Sequence, residues 1–147
     1  MAAAQGDSLW GLLNKWDANY YVEIARAGYG GAGGAPVEET TLAFFPGFPL
    51  VVRIVSNLLG TDVAGTAIVL NLFFTIALAA GVMALARQMG MDTRGQVLGA
   101  TVVTSAPMSI VFSMPYTEAL FGALAIWSVV MLHGKRWIAA GVLTFLA

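Results

Sequence analysis

Trp16-Asp17, with Tyr20 and Tyr21 close behind in KWDANYYVEIARAGYG (residues 15–30), are the first residues able to do chemistry. They lie just upstream of a chain that turns largely apolar. A carboxylate among rings at such a boundary has two readings. It is a solvated acid on an interfacial helix anchored by its aromatics, or a catalytic acid at the membrane surface. Glu118 follows Pro115-Tyr116-Thr117. It is either a helix-end acid favoured by an N-terminus or a second polar group lining one site with Asp17. Arg53 interrupts an apolar stretch, and an arginine at a helix centre costs about 2.5–3.5 kcal/mol on insertion scales. It must therefore face protein, water or a phosphate. An ion pair with Glu38, Glu39 or Asp62 would satisfy it equally.

Composition sets the solvent. The 147 residues are 59% hydrophobic and 10% charged, against about 25% charged in soluble domains. Mean hydropathy is +0.79, which reads as an integral membrane protein. A net charge of -1 without a basic stripe argues against nucleic acid as a partner. The absence of cysteine and a lone His133 leave neither a disulfide framework nor a zinc site. The remaining acids are scattered, so neither metal nor cofactor is expected.

The elements that must position these residues are all helical. Residues 8–28 read as a helix with Trp16, Tyr20, Ile24 and Ala27 on one face and Asp17, Tyr21 and Ala25 on the next strip. Glu23 and Arg26 can pair at i,i+3, and 28–36 is a glycine-rich loop, so 1–43 is expected as an outer-face loop bearing an interfacial helix. Residues 44–60 hold Pro46 and Pro49 and read as a re-entrant or interfacial helix. Uncharged spans follow at 63–86, 95–117 and 119–134, and 137–147 begins another. That last helix reaches only half the roughly 20 residues needed to cross, so the chain is expected to be incomplete.

Charge fixes sides. Arg87 and Arg94 flank one connector and Lys135 and Arg136 occupy another, and the positive-inside rule places both in the cytoplasm. The turn at 113–118 and residues 61–62 then lie outside. If 44–60 enters and leaves on one face, WDANYY and SMPYTE share the outer surface.

Three segments now stand in order: WDANYYVEIARAGY (16–29), FFPGFPLVVR (44–53) and SAPMSIVFSMPYTEALF (105–121). Together they resemble the N-terminal part of the GPI mannosyltransferase 2 (PIG-V type) family, of the GT-C glycosyltransferase class. The resemblance covers residues 10–135. It implies an all-α polytopic membrane protein, incomplete at both ends, since only residues 1–15 precede the Trp-Asp pair where the family has a transmembrane helix. It implies a mannosyltransferase that moves mannose from a polyprenyl-phosphate mannose donor to a lipid-linked glycan acceptor, as in GPI-anchor or related glycolipid assembly. The active site would lie on the non-cytoplasmic side of a bacterial plasma membrane or of the endoplasmic reticulum. Asp17 stands where the family's outer-loop acid serves as base or acceptor ligand.

Within that reading Trp16, Tyr20, Tyr21, Arg53, Tyr116 and Glu118 are candidate substrate contacts. Tyr20, Tyr21 and Tyr29 stack on sugar or form an aromatic belt at the headgroups. Arg53, with Arg26 behind it, is a candidate for the departing lipid phosphate. A non-catalytic membrane subunit and a transporter module are the alternatives. The transporter reading needs ionisable residues deep inside the spans, and these carry no Asp, Glu, Lys or Arg.

Overall fold

The structure is a computed structural model that describes residues 17–29, 43–107 and 109–147. Among the described residues all regular structure is helical. The first helix, Ala18–Ala27 (α1), stops at Gly28, whose φ of 75° suits a residue without Cβ. It buries Ala18, Tyr21, Val22, Ile24 and Ala25. The inward face is therefore the Tyr21–Ala25 strip with its neighbours, whereas Tyr20 and Ala27 stay half-exposed. The part of the expected helix before residue 17, with Trp16, lies outside the described residues.

Gly47–Leu59 (α2) shows why Pro46 and Pro49 do not prevent a helix. Pro46 sits at the N-cap and Pro49 in the first turn, where backbone N–H groups have no intrahelical acceptor anyway. At 13 residues it is about 20 Å long, shorter than the roughly 30 Å hydrocarbon core. Phe48, Pro49, Val52 and Ser56 face inward, while Leu50, Ile54 and Leu58 form an exposed apolar stripe. Gly60 closes the helix in the left-handed region.

Val63–Gln88 (α3) has 26 residues and is long and apolar enough to cross a membrane. Asp62 caps it, accepting from the Gly65 amide at 3.0 Å. Val69, Leu72, Phe73 and Ile76 are exposed along its side, which is the pattern of a helix solvated by lipid rather than water.

Thr93–Thr104 (α4) begins on a second aspartate cap, Asp92, bonded to the Gly95 amide at 2.9 Å. The continuous helix expected over 95–117 does not form. The chain leaves the helix at Ser105 and makes only a short 3₁₀ turn at Ser109–Ser113. Pro107 explains the break, because it has no N–H to donate and disfavours helical backbone at the residue before it. Glu118–His133 (α5) and Trp137–Leu146 (α6) complete the described chain. Ser128 joins these two through the Ala140 carbonyl and the Thr144 hydroxyl.

α3 and α5 pack closely at Gly81. A Cβ there would overlap the Ile126 side chain and come within 3.3 Å of the Trp127 ring, whose indole N–H donates to the Ala77 carbonyl at 2.9 Å. Small residues give membrane helices this close contact. Gly81→Val is expected to destabilise the complete chain by about 1–3 kcal/mol through overpacking, read as a lowered thermal midpoint in detergent. The main core lies elsewhere, toward the N-terminal end of α3. There Ala18, Tyr21, Ala25, Phe48, Val52, Ala67, Met114 and Tyr116 cluster.

Candidate active site

That core carries the candidate chemistry on its rim. Tyr21 is its hub: its ring meets Phe44 edge-on at 5.0 Å, Phe48 at 5.9 Å and Tyr116 at 6.2 Å. Tyr20 stacks on Phe44 at 5.3 Å. The Tyr116 hydroxyl faces the backbone amides of Asp17 and Ala18 at the start of α1. Asp17 and Glu118, both exposed, lie close enough to act electrostatically on Tyr21 and Tyr116. Two stretches almost a hundred residues apart thus converge, and Asp17, Tyr21, Tyr116 and Glu118 form one group.

The electrostatics follow from this packing. Burial pushes the Tyr21 phenol up to about 12, with Glu118 and then Asp17 adding to it. Burial also raises Tyr116, and Asp17 raises it further against the opposing amides of Asp17 and Ala18. Both phenols therefore keep their protons near neutral pH and serve as hydrogen-bond donors beside two carboxylates.

Asp17 itself is informative by contrast. Asp62 and Asp92 cap the helices that follow them, but Asp17, at the same position before α1, makes no side-chain capping bond. Its backbone is already helical, with φ -64° and ψ -17°, so the usual cap geometry is absent. No side-chain hydrogen bond or ion pair among the described residues holds the carboxylate at the rim. Among the described residues no group of three His, Asp or Glu side chains could hold a metal ion.

The arginines divide differently from the sequence expectation. Arg26 does not pair with Glu23. It reaches Asp62 at 3.1 Å, tying α1 to the start of α3. Asp62 is thereby unavailable to Arg53, which is exposed and has no ion-pair partner among the described residues; Glu38 and Glu39, its other expected partners, lie outside them. Arg53 Nη1 lies beside Gly28, at the opposite end of α1 from Asp17. The Tyr29 hydroxyl donates to the Phe44 carbonyl and so closes the chain on both sides of residues 30–42.

The Gly65 amide, helped by Arg26, holds the Asp62 carboxyl below its usual range against a small desolvation cost. A lowered carboxyl stabilises the fold above its unfolded value, near 4, and that contribution is lost as pH falls through the lower folded value. Asp62→Ala is expected to cost about 1 kcal/mol as a lost cap, with thermal unfolding at neutral pH as the measurement.

One residue carries more of the site's architecture than its sequence position advertised. Asn71 of α3 is fully buried and donates from its amide to the carbonyls of Met114 and, at 3.0 Å, Tyr116. A single carboxamide in an otherwise apolar span was the signal available for it.

Comparison with known proteins shows the family that the three sequence segments resemble. The family described as mannosyltransferase (PIG-V) matches residues 1–146, and the chain belongs to that family. Its relatives include the GPI alpha-1,6-mannosyltransferase 2 proteins of Mus musculus, 29% identical, and Rattus norvegicus, 28% identical. Each alignment covers 96% of this chain and 29% of the relative. The chain thus spans less than a third of the length of these relatives. No solved structure matches.

Proposed function

We propose that this chain forms the acceptor-activating face of a membrane mannosyltransferase that uses a polyprenyl-phosphate mannose donor and a glycolipid acceptor, as in GPI-anchor assembly. The observation that carries the reading is the convergence of Asp17, Tyr21, Tyr116 and Glu118 on one rim. Asp17 takes the proton from the accepting hydroxyl as its oxygen attacks the sugar's anomeric carbon. The bond from that carbon to the phosphate oxygen breaks, and the lipid phosphate leaves with the electron pair. Tyr21 and Tyr116 offer donors to sugar hydroxyls or to the developing charge, while Glu118 orients the acceptor beside Asp17. Trp16 and Tyr20 supply ring surface for the sugar.

In this reading the protein is polytopic. α3 and α5 cross the bilayer, and α4 crosses together with the 3₁₀ segment as a broken helix. Irregular backbone is tolerated at that depth when protein groups satisfy it. Asn71 serves Met114 and Tyr116 in this way, and the Thr75 hydroxyl is 3.4 Å from the Phe112 carbonyl. α2 dips into the outer leaflet and returns, and the site faces the non-cytoplasmic side.

The test is transfer by the complete chain in vesicles, with radiolabelled polyprenyl-phosphate mannose and GDP-mannose offered separately alongside a glycolipid acceptor. Label should reach the acceptor from the lipid donor. Transfer from the nucleotide sugar alone, or from neither donor, would overturn the reading.

A further inference from the structure

Arg53 sits at the far end of α1 from Asp17. Its guanidinium lies beside Gly28, where a Cβ would sit 3.3 Å from Nη1. Asp17 lies at the other end of the ten-residue α1, and helical rise puts roughly 16 Å between the two ends. In a sugar phosphate the reacting carbon is joined to phosphorus through one oxygen. The attacking oxygen must approach that carbon to about 3–3.5 Å, so the base and the donor phosphate stay within one sugar's width. A phosphate on Arg53 is several sugars away from Asp17.

The surroundings of Arg53 nevertheless suit a lipid phosphate. It has no ion-pair partner among the described residues, whereas Arg26, half a turn before Gly28, is committed to Asp62. Ile24, Tyr29, Pro46, Pro49 and Leu50 line a cleft of about 140 Å³ against it. From Leu50 the exposed apolar stripe continues through Ile54 and Leu58. A guanidinium at a cleft mouth binds a phosphodiester through charge-assisted bonds, and the stripe gives acyl chains an apolar track.

We infer that the Arg53 cleft holds the lipid phosphate of the acceptor glycolipid, and that α1 measures the glycan between that phosphate and the hydroxyl presented to Asp17. The assignment rests on Asp17 as the base. It requires an acceptor with several sugar rings between phosphate and reacting hydroxyl, and it leaves the donor phosphate to other groups.

Steady-state kinetics of the complete chain with Arg53→Gln and Arg53→Lys test this, varying donor and acceptor in turn. Arg53 is exposed and makes no side-chain bond to the described residues, so folding should survive, checked by its thermal midpoint. Arg53→Gln should raise the acceptor KM by roughly 10- to 100-fold without raising the donor KM, and Arg53→Lys should recover part of that. With the same glycan lacking its lipid phosphate, the difference between wild type and variant should vanish. A raised donor KM would assign the cleft to the donor. Equal KM values for wild type and variant would assign it to bulk phospholipid or to no ligand; either result overturns the inference. Asp17→Asn, run in parallel, separates the two claims. If it retains transfer the base assignment fails, while the Arg53 KM pattern still reports which lipid the cleft holds.

Discussion

Asp17→Asn in the complete chain should lower the rate of mannosyl transfer by about 10²–10⁴-fold, the range a positioned general base contributes. The substitution keeps shape and removes only the ability to take a proton. It should leave stability unchanged, because Asp17 is exposed and caps nothing. Expression, insertion and thermal midpoint should therefore match wild type while turnover collapses. A structural N-cap would behave in the opposite way, losing about 1 kcal/mol of stability with little effect on turnover. Measuring both quantities on one preparation decides between these accounts.

Asn71→Leu should be the most damaging substitution within the apolar spans. Met114 and Tyr116 flank Pro115, in a segment where helical hydrogen bonding is broken. Both carbonyls accept from the Asn71 amide. Leucine is close to asparagine in size but donates nothing, so both carbonyls lose that bond, at about 1–3 kcal/mol in all, while the Met114 carbonyl keeps the Tyr116 amide at 2.7 Å. Asn71 Oδ1 is itself buried with no hydrogen-bond partner among the described residues, and removing it returns part of that loss. The segment it holds carries Tyr116 and leads into Glu118. A displacement near 1 Å at such a site can cost about 10²-fold in rate. Asn71→Leu is therefore expected to lower both the thermal midpoint in detergent and the transfer rate, in contrast to Asp17→Asn, which lowers only the rate. Wild-type values of both would show that Asn71 does not hold the segment.

These two residues mark what the sequence made legible and what it did not. Asp17 was visible because a carboxylate between Trp16 and Tyr20 at the edge of an apolar chain is costly and specific. The charged connectors further suggested that WDANYY and SMPYTE share a surface, and the rings of Tyr21 and Tyr116 do meet. Asn71 was passed over because hydropathy averages a single carboxamide into its span, and its partners follow only from how α3 meets the 3₁₀ segment. The pairing of Arg26 was misread for a similar reason. Spacing along one helix offered Glu23, but packing of α1 across the start of α3 brought Asp62 to 3.1 Å. Helical periodicity likewise offered two adjacent strips of α1 without ranking them. The site for Phe44 and Phe48 drew the Tyr21 strip inward. Pro107 lies inside the span over 95–117, yet its effect on helix continuity depends on nearby side chains able to serve the freed carbonyls.

The central claim is that the Asp17 carboxylate takes the acceptor's proton in the transfer step. Single-turnover transfer tests it most directly, with the complete enzyme in excess over labelled polyprenyl-phosphate mannose and saturating acceptor, comparing wild type with Asp17→Asn. The account predicts a transfer step slowed by at least about 10²-fold while both substrates still bind. Equal single-turnover rates would contradict it.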